Sequence, residues 1–291
     1  MTISGWTRVA GVIGDPVRHS LSPVLHNAAY RELALDWVYA AFEVPAGATG
    51  AALDAIRVLG FAGLSITMPH KTAAAECCDE LTPDAAALQS VNTVRLIADG
   101  RLVGDSTDGE GFLRALRDAG RDPAGVPALV LGGGGAARAV ALALGRAGAP
   151  VTVCARKPEA AAAAARLAGG ETAGWEERGA VASRCVLVVN ATPIGMARAD
   201  TAADSADPAT AGAAPDLPLP AAALGPDHVC VDLVYHPRDT ALLCVARERG
   251  AAAVDGLGML VHQAGLQVEA WTGRSAPIGA MRAAAEAALA R

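Results

Sequence analysis

With 291 residues, the chain is long enough for one large or two medium domains, each able to bury its own core. Hydrophobic residues make up 52%, much of it alanine, and aromatics only 3%, so small side chains must pack helices closely on sheets. The net charge of −6 argues against a nucleic-acid backbone or an anionic membrane surface as the partner.

The N-terminal "MTISGWTRVAGVIGDP" has no basic region followed by a long apolar run, which predicts no signal peptide. "RVAGVIG" predicts a strand, "SPVLHNAAYRELAL" a helix and "WVYAAFEV" a second strand. "ATGAALDAIRVLG" and "FAGLSITM" repeat the helix–strand alternation. This is the pattern of βαβ units and implies a mostly parallel sheet covered by helices. Further helices are predicted over "KTAAAECC" and "TPDAAALQS". "VNTVRLIADGRLVGDSTD" then reads as a hairpin around an Asp-Gly turn, and "GEGFLRALRDAG" as a helix closed by glycine.

A second alternating series runs through "ALVLGG", "AARAVALALGRAG", "PVTVCAR", "PEAAAAAARLAGG", "CVLVVNATP" and "HVCVDLVY". It predicts a doubly wound domain over residues 106–255. The Ala/Asp/Pro/Ser-rich stretch between Met196 and Leu217 has no apolar periodicity and reads as a surface insertion. Two helices, in "GMLVHQAGLQVEAWTG" and "PIGAMRAAAEAALA", close the chain, and periodicity leaves open which domain they join. No apolar run is long enough to predict a transmembrane span. Cysteines 77, 78, 154, 185, 230 and 244 form no CxxC pair and read as reduced core thiols of a cytoplasmic protein.

The strongest local motif is "ALVLGGGGAARAV". A strand runs into Gly132, Gly134 and Ala137, a G-x-G-x-x-A spacing, and a helix follows. The first glycine permits the tight turn, the second lets a pyrophosphate approach the backbone, and the small third residue lets helix and strand pack. The pyrophosphate would lie on the free N–H groups of that helix. The following strand ends in Ala155, Arg156 and Lys157, with no carboxylate to accept from a ribose hydroxyl. Two cations there suit the 2′-phosphate of NADP.

A dehydrogenase also needs a group that exchanges a proton at the substrate oxygen. Three polar loops qualify: "GDPVRHSLSP", "TMPHK" and "GDSTD". Lys71 follows a strand and opens a helix, and Asp108 lies at the domain junction. Such a pair can hold and orient a proton, whereas unrelated surface charges are the plain alternative for two residues 37 positions apart. His70 reads as structural or peripheral.

These stretches together resemble the shikimate/quinate dehydrogenase family. The resemblance covers nearly the whole chain, in order: "GDPVRHSLSPVLHN", "GLSITMPHK", "SVNTV", "GDSTDGEGF", "LGGGGAARA", "NATPIGM", "DLVYHPRDTALL" and "GLGMLVHQA". It implies a two-domain α/β fold. Residues 1–105 and 256–291 would bind substrate, residues 106–255 would form a Rossmann-like NADP domain, and the C-terminal helices would return to the first domain. The implied reaction is NADP-linked, reversible reduction of 3-dehydroshikimate to shikimate. Lys71 would donate the proton, paired with Asp108.

The same resemblance implies that Ser20, Ser22 and Tyr235 serve the substrate carboxylate, and Thr67, Asn92, Asp108 and Gln263 its hydroxyls. Cofactor contacts would come from Gly132, Gly134, Gly135, Ala136, Ala155, Arg156, Lys157, Asn190, Thr192, Met196 and Gly256. A small-molecule substrate is implied, with no metal, nucleic acid or membrane partner, in a monomer or homodimer.

Three departures stand out. Ser65-Ile66-Thr67 replaces the family's Asn-Val-Thr, so a shorter hydroxyl stands where an amide would read a substrate hydroxyl. That raises a quinate or broad-specificity enzyme as the alternative. Ser106-Thr107-Asp108 replaces Asn-Thr-Asp, and Ala155-Arg156-Lys157 replaces Asn-Arg-Thr. A non-catalytic nucleotide-binding protein of the same fold would be expected to lack the lysine, the aspartate or the serine loop, and all three are present.

Overall fold

The computed structural model describes residues 2–196 and 217–290. The insertion anticipated after Met196 lies outside them. The chain divides into two compact units, Met1–Phe112 with Leu260–Arg291, and Leu113–Met259.

The first unit is built on β1 (Arg8–Gly14), β2 (Trp37–Glu43), β3 (Gly63–Ile66), β4 (Glu80–Leu81), β5 (Thr93–Leu96) and β6 (Leu102–Asp105). Helices α1 (Ser22–Glu32), α2 (Thr49–Leu59), α3 (Lys71–Cys77) and α4 (Pro83–Leu88) connect them. The strand order is β2-β1-β3-β5-β6-β4. β1 runs parallel to β2 and β3, but β5 is antiparallel to both its neighbours. The sheet is thus mostly parallel, as the alternation predicts, with β5 alone running against the other strands. A hairpin reverses the chain there, through a turn in which Gly100 N–H donates to the Ile97 carbonyl. The core beneath is aliphatic, with Ile13, Leu53, Ile56, Leu64, Ile66, Val91, Val94 and Leu102 all buried.

Helix α5 (Asp108–Asp118) leads into the second unit. This contains β7 (Ala128–Leu131), α6 (Gly135–Arg146), β8 (Val151–Cys154), α7 (Pro158–Ala168), β9 (Glu171–Ala173), α8 (Arg178–Ala182), β10 (Leu187–Asn190), β11 (Val229–Asp232), α9 (Ala241–Glu248) and β12 (Ala252–Val254). The order β12-β11-β10-β7-β8-β9 is parallel throughout. It is the doubly wound order, with its switch point between β7 and β10. Strands β7 and β10 are buried along their whole length, as a sheet covered on both faces requires.

Helices α10 (Leu257–Thr272) and α11 (Ile278–Leu289) complete the chain, and from Leu260 onward it belongs to the first unit. Trp271 Nε1 donates to the Val94 carbonyl at 3.1 Å, tying α10 to β5. Among the described residues no helix is long and apolar enough to cross a membrane. All six cysteines are unpaired; Cys154 and Cys230 are buried, whereas Cys244 is exposed rather than the core thiol expected.

Candidate active site

In the first unit, polar residues gather where β1, β3 and β6 give way to helices. Lys71 opens α3 and Asp108 opens α5. Lys71 Nζ donates to Asp108 Oδ2 at 2.6 Å, and their side chains are only 26% and 13% exposed. Asn92, in the loop before β5, donates from Nδ2 to Asp108 Oδ1 at 2.7 Å and to Thr107 Oγ1 at 3.0 Å. Its Oδ1 accepts from the Thr107 N–H at 2.9 Å. The two carboxylate oxygens of Asp108 thus have different partners, and the group is held in one orientation. Charge-assisted bonds of this kind are short and strong.

His70, next to Lys71, is buried and turned the other way. Its Nδ1 meets Thr49 Oγ1 at 2.9 Å and its Nε2 the Val44 carbonyl at 2.8 Å, so it anchors the α3 start as a structural residue. Ser20 and Ser22 sit at the start of α1, where Ser22 N–H donates to Ser20 Oγ at 3.2 Å. Two hydroxyls beside a helix N-terminus suit a carboxylate. Thr67 is half-buried at the end of β3. Gln263, on α10, donates from Nε2 to the Leu260 carbonyl at 2.9 Å, and its backbone carbonyl accepts from Thr107 Oγ1 at 3.1 Å. Lys71, Asn92, Asp108 and Gln263 are therefore joined through Thr107 and Asn92 in one network.

Ser65 differs from its expectation. It is 5% exposed; its hydroxyl donates to Gln267 Oε1 at 2.7 Å and accepts from the Tyr39 hydroxyl at 2.6 Å. A group so committed inside the protein does not read a substrate hydroxyl. Ser106, the second departure, is also buried.

The second unit carries an open groove of about 660 Å³ across the carboxyl ends of β7, β8 and β10. Gly132, Gly133, Gly134, Ala155, Arg156, Lys157, Ala160, Trp175, Ala191, Thr192 and Pro193 line it. Gly132 has φ 118°, a conformation that favours glycine, and a Cβ there would stand 2.9 Å from the Ala191 carbonyl oxygen. At Gly133 a Cβ would meet Ala160 at 2.7 Å, so α7 packs directly on the turn. Gly134 faces open space and caps α6, whose first N–H groups no side chain occupies. Ala137 is fully buried, as close helix–strand packing requires.

The groove fits a dinucleotide. It has an uncapped helix N-terminus for a pyrophosphate, and exposed Arg156 and Lys157 where a 2′-phosphate would lie.

Thr192 lies on that lining, but Asn190 does not. Asn190 is fully buried, donating to Asp232 Oδ1 at 2.9 Å and to the Ile194 carbonyl at 3.1 Å; its Oδ1 accepts from Thr192 Oγ1 at 2.7 Å. It shapes the loop that borders the groove. Burial raises the Asp232 carboxyl above the usual carboxylate range, against hydrogen bonds from Thr240, Val234 and Asn190. Met196 is 54% exposed at the end of the loop. Gly135 and Ala136 form the first turn of α6, and Gly256 is buried against Leu233. Tyr235, half-buried three residues beyond β11, belongs to this second unit, and burial raises its phenol pKa. Trp175 escaped sequence reading, because a lone tryptophan after a short edge strand carries no periodic signal. Its ring lies under the Arg178 guanidinium, 4.6 Å from ring centroid to Cζ.

A doubly wound unit with a nucleotide groove, joined to a unit with a lysine–carboxylate pair, defines the class of nicotinamide-dependent oxidoreductases. Comparison with known proteins narrows this. Residues 12–94 match the model of the shikimate dehydrogenase substrate binding domain, and residues 256–286 that of the shikimate 5'-dehydrogenase C-terminal domain. The shikimate dehydrogenase (NADP(+)) of Acidiphilium cryptum is 44% identical over 94% of this chain and 93% of its own. The Thermus thermophilus shikimate 5-dehydrogenase, in complex with NADP(H) and shikimate, is 38% identical with a TM-score of 0.85, covering 97% of this chain and all of that one. The quinate dehydrogenase of Corynebacterium glutamicum, in complex with NAD, is 30% identical with a TM-score of 0.85, over 97% and 99%. The chain belongs to the shikimate/quinate dehydrogenase family.

Proposed function

We propose that this protein is an NADP-dependent shikimate dehydrogenase that reversibly reduces 3-dehydroshikimate to shikimate. The observation that carries the reading is the Lys71–Asp108 pair, 2.6 Å apart and largely shielded from water, in a chain that also builds a carboxylate-free, basic nucleotide groove. A nicotinamide held by the groove residues would supply the hydride. Lys71 gives its proton to the oxygen that gains charge, which leaves an alcohol and a neutral amine. Its partial exposure lets solvent restore the proton.

Asp108 has two tasks: it holds Lys71 through Oδ2 and accepts from the neighbouring substrate hydroxyl. Asn92 keeps the carboxylate turned for both. Ser20 and Ser22 donate to the substrate carboxylate at the α1 N-terminus, and Thr67 and Gln263 serve its hydroxyls. Arg156 and Lys157 grip the 2′-phosphate. Six unpaired thiols suit a reducing, cytoplasmic setting.

Quinate is the second reading, favoured by Ser65, which offers the substrate no free donor where the family has an amide. Initial rates with shikimate and quinate, each against NADP and NAD, decide the matter. A dominant shikimate–NADP rate is expected. Comparable quinate turnover would establish the broader enzyme, and inactivity in all four mixtures would overturn catalysis altogether.

A further inference from the structure

A single run of hydrogen bonds crosses the interior of the first unit and ends at the Asp108 carboxylate. Tyr39 Oη meets Ser65 Oγ at 2.6 Å, and Ser65 Oγ meets Gln267 Oε1 at 2.7 Å. Gln267 Nε2 meets Thr93 Oγ1 at 3.0 Å, and Thr93 Oγ1 meets Asn92 Oδ1 at 2.8 Å. Asn92 Nδ2 then reaches Asp108 Oδ1 at 2.7 Å, and Lys71 holds Oδ2 at 2.6 Å.

The direction of every donor is forced. Asn92 must present Nδ2 to a carboxylate and Oδ1 to the Thr107 N–H, which fixes its amide. Gln267 Nε2 also faces the Asn92 backbone carbonyl at 3.2 Å, which only accepts, so that amide is fixed too. Thr93 must then donate to Asn92, Ser65 to Gln267, and Tyr39 to Ser65. All donors point toward Asp108, an arrangement in which each bond polarises the next.

Tyr39, Ser65, Asn92, Thr93 and Gln267 are each 5% exposed or less, so water does not compete along the path. Burial lifts the Tyr39 phenol far above its usual range, against its hydrogen bonds with Ser65 and Ser22, so the first donor keeps its proton.

We infer that Ser65, Gln267 and Thr93 are positioning residues for proton transfer, acting through Asn92 to hold the Asp108 carboxylate, and with it Lys71, in register with the substrate oxygen. The inference rests on the proton-transfer role proposed for Lys71 and Asp108. It gives Ser65 a function other than substrate reading: a small hydroxyl that both accepts and donates is what the gap between Tyr39 and Gln267 requires. Breaking the run at Thr93 leaves Asn92 Oδ1 with only its Thr107 partners, so the amide that bonds Asp108 is held less firmly. Even a small misplacement of a reacting group lowers turnover steeply.

The test compares kcat, both Michaelis constants and thermal stability for the wild type, Thr93→Val, Thr93→Ser and Gln267→Leu. Thr93→Val keeps the side-chain shape and removes the hydroxyl. It should lower kcat roughly tenfold while leaving the KM for NADP within about twofold. Gln267→Leu should show the same split. Thr93→Ser, which restores the hydroxyl, should recover kcat to within about twofold of wild type.

Wild-type kcat in Thr93→Val would overturn the inference. So would a Thr93→Ser protein as slow as Thr93→Val, since the hydroxyl would then be irrelevant. Should Gln267→Leu fail to fold, the two Thr93 variants still decide. A wild type inactive with shikimate would instead sink the dehydrogenase reading, and that is seen before any variant is measured.

Discussion

The two units solve their chemical tasks with opposite materials. In the first, the working groups are buried side chains bonded to one another, from Tyr39 through Asn92 to Asp108 and Lys71. In the second, the groove is mostly backbone: three consecutive glycines, an uncapped helix N-terminus and two exposed cations. Its own buried side-chain network, Asn190–Asp232–Thr240, lies off the groove lining and shapes the bordering loop. A proton moves only over short, aligned distances, so its donor must be held rigidly. A phosphate is a diffuse anion that N–H groups and flexible cations can satisfy in many geometries. The first unit should therefore tolerate little change at its site, and the second a good deal.

The largest effect should come from Lys71. Lys71→Ala is expected to lower kcat by about a thousandfold, within the usual range for losing a positioned acid–base group, with NADP affinity nearly intact. Lys71→Arg should recover little, because a guanidinium does not give up its proton and does not match the single-point contact with Oδ2. Near-normal turnover in either protein would remove the proton-transfer role and blur the contrast between the units. Thr93→Val, at roughly tenfold in kcat, is the next test of the same rigidity.

Arg156 tests the other half. Arg156→Ala should raise the KM for NADP about tenfold and that for NAD hardly at all, as expected from losing one charge-assisted contact to a phosphate. Arg156→Lys should lie between, and the NADP preference should weaken with added salt because the cation is exposed. An equal rise for both cofactors would remove the 2′-phosphate assignment.

What the sequence discloses follows the same divide. The groove was legible because its parts are contiguous: strand, glycine turn and helix fall within "ALVLGGGGAARAV", and Arg156 and Lys157 follow directly on the next strand. The lysine and aspartate were legible as strand–helix junctions, and they meet. The relay behind them was not. Ser65 and Gln267 are 202 positions apart, and only the fold shows that they bond. The resemblance implied Asn190 as a cofactor contact, yet its amide is fully buried and bonded to Asp232 and the Ile194 carbonyl, partners that only the fold brings to it. The two-residue β4 and the three-residue β9 and β12 are too short for alternation to register.

The last prediction concerns acid stability, and here the two units should diverge in sign. His26, fully buried on α1, stacks on Tyr39 with ring centroids 4.0 Å apart and planes 9° apart, and its Nδ1 lies 2.8 Å from the Ser22 carbonyl. Burial lowers its pKa to about 4, against the Ser22 hydrogen bond. An unfolded chain takes up that proton near pH 6.5. The folded state therefore loses stability as pH falls from about 6.5 toward 4, by at most roughly 3 kcal/mol over the full window.

In the second unit the raised carboxyl of Asp232 acts the other way. The folded state takes up its proton first, so acidification relieves that unit. Unfolding followed at about pH 7 and about pH 5 should show the melting temperature of wild type falling on acidification, by a few degrees through His26. His26→Asn, which keeps a donor toward Ser22 and cannot titrate, should fall less over the same interval. Equal falls in the two proteins would show that His26 does not carry the acid sensitivity of the first unit. The buried aromatic layer behind the relay would then be indifferent to pH.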